Sequence, residues 1–490
     1  MRISMSFFRR SVIASVATLF VLAACSQQEP PPPEGYLSVE AMREDLRALY
    51  GGLESGHFDL FANKTRAEYD AVYDATYASI TDPMTPDEAQ ILFQTFAAFG
   101  DVAHARIDFP VSIWMEYVGE GGLAFPLYPR FSEGRFFIGE DYSGSDLVSE
   151  GDEIVAINGV SIADWLERVG RHLSADTDYL LETQLEFSWP VYLWLETGPV
   201  DTFELEVRRH GEGVIETVTL PALTRLDMQA NQASAAADEE SPLREARMLS
   251  DRVAYLKPGP FYNAEDPENL WNTDAYLTFV DEGFESFIEA GADALIVDVR
   301  NNPGGDAAFS DPIAAWFAGE PFRFASELYV RSSPEAEAAN AARLDPDDTD
   351  SVNAIYAEKF AETPYGEVFE VEFPEVQPRE EQQFEGNVYV LVDRHSYSNA
   401  VTFAAMVQDY GFGTIIGEET ADLATTYGAM ESFTLPNSGV SVGFPKAYII
   451  RPNGDVTVRG VVPDIAIPAP IVLGEGDVVL DAALALVEGR

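Results

Sequence analysis

The C-terminal half of this chain predicts an α/β core, and the N-terminal part predicts helices. Two segments about ninety residues apart carry the first statement. Leu295, Ile296, Val297 and Val299 form a short, mostly β-branched run of the kind covered on both faces of a sheet, and residues 306–317 follow as a helical pattern. Residues 388–392 form a second such strand, and 399–410 have the composition and apolar spacing of a helix. Ahead of these, SVEAMREDLRALYGGL and TPDEAQILFQTFAAF each start on a capping residue with an acid two or three places later, which makes 36–111 a helical region.

The turns between strand and helix carry the chemistry. In the first, Asn301, Asn302, Pro303, Gly304 and Gly305 break the strand. Two glycines allow backbone conformations closed to other residues, so their N–H groups can face a cavity beside a helix start, where an anion or developing oxyanion is favoured. Taken alone, the same residues also describe a plain tight turn. In the second, Ser398 stands at the strand-to-helix junction. It reads either as a helix N-cap or as an exposed nucleophile, and Ser396 competes for the second role.

The order NNPGG, DRHSYSNAVTFAAMVQDYG, IIGEET and RPNGDVTVRGVVPDI resembles the C-terminal-processing (tail-specific) serine proteases and the tricorn core protease over residues 253–490. The resemblance implies a ClpP/crotonase-like α/β core and a serine endopeptidase that cleaves polypeptide through an acyl-enzyme. It places Ser398, not Ser396, on the nucleophile, and the backbone amides of Asn399 and of Gly304 or Gly305 on the oxyanion hole. No cofactor is implied. The tail-specific enzymes carry a lysine base in a phenylalanine-glycine-lysine-glycine motif. This chain reads GEETADLATTYG there, with Leu423 near the lysine position, and Lys446, the one lysine after Ser398, belongs to another predicted strand. The resemblance is therefore closer to the lysine-less, tricorn-like branch.

A serine needs a base, and histidine is the ready supplier. His172 and His210 read as solvated surface, His57 has no support, and His395 reads as a residue that shapes the loop before Ser398. His104 lies in GDVAHARI, which resembles the short loop whose histidine is the base in the tricorn branch; there a serine precedes it, here Ala103. The glutamate that orients that histidine falls on Thr457, leaving Asp455, Glu431 and Asp101 as unranked candidates. Loss of the orienting acid leaves open an inactive member of the fold that binds peptides or apolar ligands.

The middle of the chain, 112–223, contains LVSEGDEIVAINGVSI, which resembles the strand-turn-strand of a PDZ domain with Gly151 and Gly159 at tight turns. GGLAF upstream resembles the loop with which such domains capture a peptide carboxylate. A PDZ-like domain either binds an extended peptide as an added strand or merely closes the cleft. Residues 224–252 read as a polar linker, 253–490 as the peptidase core, and 331–359 as an exposed helical insertion within it. No internal repeat is visible.

Residues 1–24 combine Arg2, Arg9 and Arg10 with a short apolar run ending Leu22, Ala23, Ala24, ahead of Cys25. This is the pattern of a bacterial lipoprotein signal, with Cys25 as the lipidated residue and 25–35, which holds four consecutive prolines, as a tether. Ser26, in place of an aspartate, points to the outer membrane facing the periplasm. With one cysteine in 490 residues, no disulfide can form within the chain. Without the signal, 83 acidic groups face the remaining 27 basic ones, a net charge of about −56 that excludes nucleic acid as a partner. No cysteine cluster and no histidine pair at ligand spacing calls for a metal.

Overall fold

The computed structural model describes residues 32–211, 213–232, 242–345, 351–372, 374–472 and 476–489. The signal segment, Cys25 and most of the tether lie outside these residues.

The core sheet has six strands in the order Ile465–Ala466, Thr414–Gly417, Asn387–Val392, Ala294–Asp298, Val253–Lys257, Glu245–Met248. All neighbours run parallel except the last pair, which is antiparallel. Every residue of Ala294–Asp298 is buried, as an uninterrupted apolar run requires. Leu295 and Val297 pack beneath helices Asp274–Ala290, Ala307–Ala315 and Asn399–Asp409, while Ile296 joins Leu391, Ile416 and Ala483 on the opposite face. Because Ala294–Asp298 and Asn387–Val392 are adjacent and parallel, with Leu391 opposite Asp298, the turns that follow them emerge side by side. That register turns two distant segments into one site, at the carboxyl ends of parallel strands where α/β proteins place their ligands.

A second, antiparallel sheet runs Val368–Glu370, Glu327–Arg331, Ser441–Ile450, Thr426–Thr434. The predicted N-terminal helices form as Val39–Gly56, Arg66–Ser79 and Pro86–Ala98, and Thr85 with Glu88 makes the expected capping box. They are built into this sheet: Met42, Leu46, Leu53, Phe93 and Phe96 share one cluster with Val330, Val442 and Phe444. A side chain on Gly56 would lie 2.8 Å from the Phe444 ring, so the glycine sets how closely the helix approaches. The segment read as an exposed insertion is helical, over Pro334–Arg343 and Val352–Glu362, but it is not peripheral. Its Ala336, Tyr356 and Phe360 complete that same core.

The middle unit is a six-stranded antiparallel sheet, Leu127–Ser132, Arg135–Asp141, Glu153–Ile157, Thr202–Arg208 and Ile215–Pro221, with Val160–Ser161 paired to Glu153–Ile157. Helices Ile162–Gly170 and Asp178–Thr197 cover it around Phe131, Phe136, Trp165 and Trp189. Gly151 and Gly159 take φ of 84° and 73° at the expected turns. Within the segment read as a linker, Arg225–Gln232 is a helix and Glu245–Met248 is already the edge of the core sheet.

Phe444→Ala removes a fully buried ring between helix and sheet and should cost about 3–5 kcal/mol. Urea unfolding followed by circular dichroism should show the loss, with exposed Val458→Ala unchanged; equal midpoints would contradict this account of the N-terminal docking.

Candidate active site

Asn302 joins the two turns. Its Nδ2 donates to Gly259 O at 2.7 Å, its Oδ1 accepts the Gly304 N–H at 2.9 Å, and its carbonyl accepts the Tyr397 N–H at 2.9 Å. Asn302 is buried, so each of these groups would be costly to leave unpaired. The turn is thereby pressed against Ser398: a Cβ on Gly304 would stand 2.8 Å from Ser398 Cβ and 2.7 Å from the Asn399 nitrogen. Gly305 meets the Phe261 carbonyl so closely, at φ 142°, that no side chain fits.

Ser398 has φ 52° and ψ −120°, a strained backbone for a residue other than glycine. Its hydroxyl caps no amide of helix Asn399–Asp409, so the N-cap reading of this residue does not hold. Its own N–H donates to Asp422 Oδ2 at 2.6 Å, and Asp422 Oδ1 accepts from Leu423 N–H at 2.9 Å. The buried carboxylate thus holds the unusual turn. Ser396, the competing serine, is fully buried; its hydroxyl donates to Val299 O at 2.8 Å and accepts from Asp393 N–H at 3.1 Å. It is a structural tie between the two turns.

Of the glycine amides expected at an oxyanion hole, Gly304 is corrected: its N–H is already bonded to Asn302. The Gly305 and Asn399 N–H groups have no hydrogen-bond partner among the described residues. Two amides beside an unencumbered hydroxyl can hold the negative charge that develops when that hydroxyl attacks a carbonyl.

His104 is buried, and its ring stacks on that of Tyr397, centroids 5.5 Å apart, one residue before Ser398. Burial lowers its pKa to about 4, with the Asp176 carboxylate pulling it back up and Arg106 pushing it further down. The imidazole is therefore neutral at pH 7, the form that can accept a proton. Asp176 is raised to about 6 by burial and then by the charge of Asp422, while His104 and the Ala103 N–H draw it down. Asp422 is raised to about 6 by burial, against the N–H bonds from Ser398 and Leu423 and the charge of Arg106.

The remaining candidates lie elsewhere. Lys446 is buried against Glu431 at 2.5 Å and over the Tyr356 ring, in the core of the second sheet. Glu431 also binds Arg343, Asp455 accepts from Thr457 on an exposed turn, and Asp101 pairs with Lys64 at the surface. His395 Nε2 lies 3.0 Å from Glu186, whose other oxygen binds Arg394 at 2.9 Å, so it belongs to a network that ties the loop to the middle unit. His210 is exposed, as expected. His172 is not solvated: it is buried, 2.7 Å from Glu196 and stacked on Tyr192, because the end of helix Ile162–Gly170 docks on Asp178–Thr197. Burial pushes His57 down to about 3, and its Nδ1 accepts the Asp59 N–H. Neither Asp176 nor Asp422 carries a functional signal in the sequence, and Asn302 shows there only as part of the strand-breaking turn. Asp422 stands beside Leu423, which occupies the position near the lysine of the tail-specific enzymes, and Asp176 stands just ahead of a helix start, an ordinary place for an acid.

Residues 272–467 match the family model described as Peptidase family S41. Among solved structures, mature CPAF complexed with lactacystin is 14% identical, covering 92% of this chain and 97% of that one, with a TM-score of 0.62. Mature CPAF alone gives 14% identity, 88% and 93% coverage and a TM-score of 0.60. The photosystem II D1 C-terminal processing protease is a looser likeness, 13% identical over 87% of this chain and 93% of that one at a TM-score of 0.42. At 14% identity the two CPAF structures speak for the fold alone.

Asn302→Ala orphans the buried Gly304 N–H and Gly259 carbonyl and should cost about 1–3 kcal/mol in urea unfolding. Asn301→Gly next to it, exposed and at φ 55°, should cost nothing. Equal losses at the two positions would contradict the role given to Asn302.

Proposed function

Starting from a chain whose core is that of the S41 serine-type peptidases, we propose that it is an endopeptidase working through Ser398 and His104. One observation carries the reading: a Ser398 hydroxyl that caps nothing, on a strained turn, beside two uncommitted amides. Neutral His104 takes the Ser398 proton as the oxygen attacks the scissile carbonyl. The Gly305 and Asn399 amides hold the tetrahedral oxyanion. Collapse breaks the C–N bond, the amine leaves with the proton from His104, and an acyl-enzyme remains on Ser398. Water, giving its proton to His104, then attacks the ester; Ser398 leaves with that proton and the peptide acid is released. A lysine base has no support, since Lys446 is committed to Glu431.

The substrate is polypeptide. In this reading the middle unit, 112–223, acts as a PDZ-like module that presents an extended chain end, supported by the turns at Gly151 and Gly159. Cys25 carries a lipid that anchors the protein in the bacterial envelope, at the outer membrane facing the periplasm, a reading supported by Leu22-Ala23-Ala24-Cys25-Ser26. No helix among the described residues is long and apolar enough to cross a membrane.

A fluorophosphonate probe tests the mechanism on the intact protein. Wild type should take up one equivalent, Ser398→Ala none, and His104→Ala should react at least about 100-fold more slowly. Equal labelling of Ser398→Ala, or a fully folded wild type that is inert, would overturn the proposal.

A further inference from the structure

By the resemblance, the acid that orients the histidine falls on Thr457, whose hydroxyl donates to Asp455 at 2.7 Å in an exposed turn. A different carboxylate, from the middle unit, binds the residue beside the histidine and acts on its ring through its charge. The loop 174–177 grips the His104 segment on both sides: Ser174 Oγ donates to Ala105 O at 2.6 Å, and Ala103 N–H donates to Asp176 Oδ2 at 3.2 Å. Between those two bonds, His104 is buried and its Nδ1 has no hydrogen-bond partner among the described residues. Thr177 accepts from Leu180 N–H at 3.1 Å and starts helix Asp178–Thr197, so Asp176 stands just ahead of the positive end of a twenty-residue helix, which favours its charge. Leu180 and Tyr179 of that helix pack with Ala103, Ala421 and Tyr397 around the His104 segment. Asp422, a fully buried acid nearby, has both oxygens engaged by the Ser398 and Leu423 amides.

We propose that Asp176 is the positioning residue of His104: its carboxylate takes the Nδ1–H bond when substrate is in place, presents Nε2 to Ser398 and stabilises the imidazolium that forms. The assignment rests on the Ser398–His104 reading above. Such bonds are commonly loose without substrate and tighten in the reacting complex. The middle unit then supplies part of the catalytic machinery of the core.

Several groups face the pair. Asp422 acts on Asp176, Arg106 acts on His104, and Asp108 acts on Tyr397. Lys64, Asp101, Glu167, Arg171 and Asp178 line the cleft on the outer side of Asp176. Since burial raises Asp176 to about 6 and lowers His104 to about 4, the carboxylate is the first of the two to be protonated as pH falls. Wild-type reactivity is therefore full only well above 6, falls to about half near 6 and declines further as pH drops toward 4. Without the carboxylate, only the histidine limb remains, at or below about 4, because the charge that lifts the imidazole is gone.

The experiment is the rate of fluorophosphonate labelling against pH for full-length wild type, Asp176→Asn and Asp176→Glu, with Ser398→Ala as the control. Asp176→Asn should slow labelling at pH 7 by on the order of 10³–10⁴-fold and move the acid limb downward. Asp176→Glu should recover at least about a tenth of the wild-type rate and keep the limb near 6. A residue that only holds the loop would slow labelling with the limb unmoved, and that result overturns the assignment, as does an Asp176→Asn rate within about threefold of wild type. If Asp176→Asn fails to fold, Asp176→Glu decides the matter, and a folded Asp176→Glu with its limb displaced overturns it. A wild type that does not label removes the Ser398 reading and this one together, whereas labelled wild type with indifferent Asp176 variants removes this one alone.

Discussion

Everything at the site depends on Asn302 holding two turns together. Parallel pairing of Ala294–Asp298 with Asn387–Val392 brings the turns out side by side, but a strand pair alone leaves their conformations free. The three hydrogen bonds of Asn302, to Gly259, Gly304 and Tyr397, remove that freedom in a buried setting where unmade bonds are expensive. Asp422 does the same from the other side by accepting the Ser398 N–H. Ser398 is left in a sparsely populated conformation with its hydroxyl outside the helix it precedes. The strain is maintained by the surrounding bonds, which is how a serine at a helix start avoids becoming an ordinary cap.

The second constraint is desolvation. His104 and Asp422 are buried and Asp176 is half-buried, and desolvation shifts each toward its neutral form. A neutral imidazole is the useful state for a base, and a nearby carboxylate gains importance once that imidazole becomes charged. Buried Asp422 and half-buried Asp176, close enough to repel each other, are tolerated because backbone amides from Ser398 and Leu423 bind the first and that of Ala103 binds the second. The same packing explains why the units are interlocked. Arg394 of the core reaches Glu186 and the Phe131 carbonyl in the middle unit, while Tyr179 of the middle unit bonds the Glu419 carbonyl of the core.

Much of this was legible in the sequence because it is local. The β-branched runs, the Asn-Asn-Pro-Gly-Gly break and the serine at a helix start are contiguous signals, and the structure places Gly304, Gly305, Ser398 and Asn399 together. His104 was reached only through resemblance, since a lone histidine between a helix and a strand has no physical signature of its own. What escaped was tertiary. Which glycine amide is free depends on an Asn302 side chain that bends back to Gly304, and residue order does not reveal the bend. His172 reads as solvated because it follows an amphipathic helix, yet helix Asp178–Thr197 covers it. The helices of 331–359 looked exposed because they are rich in alanine and acid, and their few large residues suffice to bury one face. Asp176 and Asp422 are single acids in a chain with 83 of them, and only their partners in the fold, the Ala103 N–H for one and the Ser398 and Leu423 N–H groups for the other, distinguish them.

The most direct test is a crystal structure of the protein after reaction with a fluorophosphonate. The account predicts phosphorus bonded to Ser398 Oγ, with a phosphoryl oxygen about 3 Å from both the Gly305 and Asn399 nitrogens and His104 on the opposite side of Ser398. Phosphorus on another residue, or a phosphoryl oxygen turned to solvent with those two amides still vacant, would contradict it.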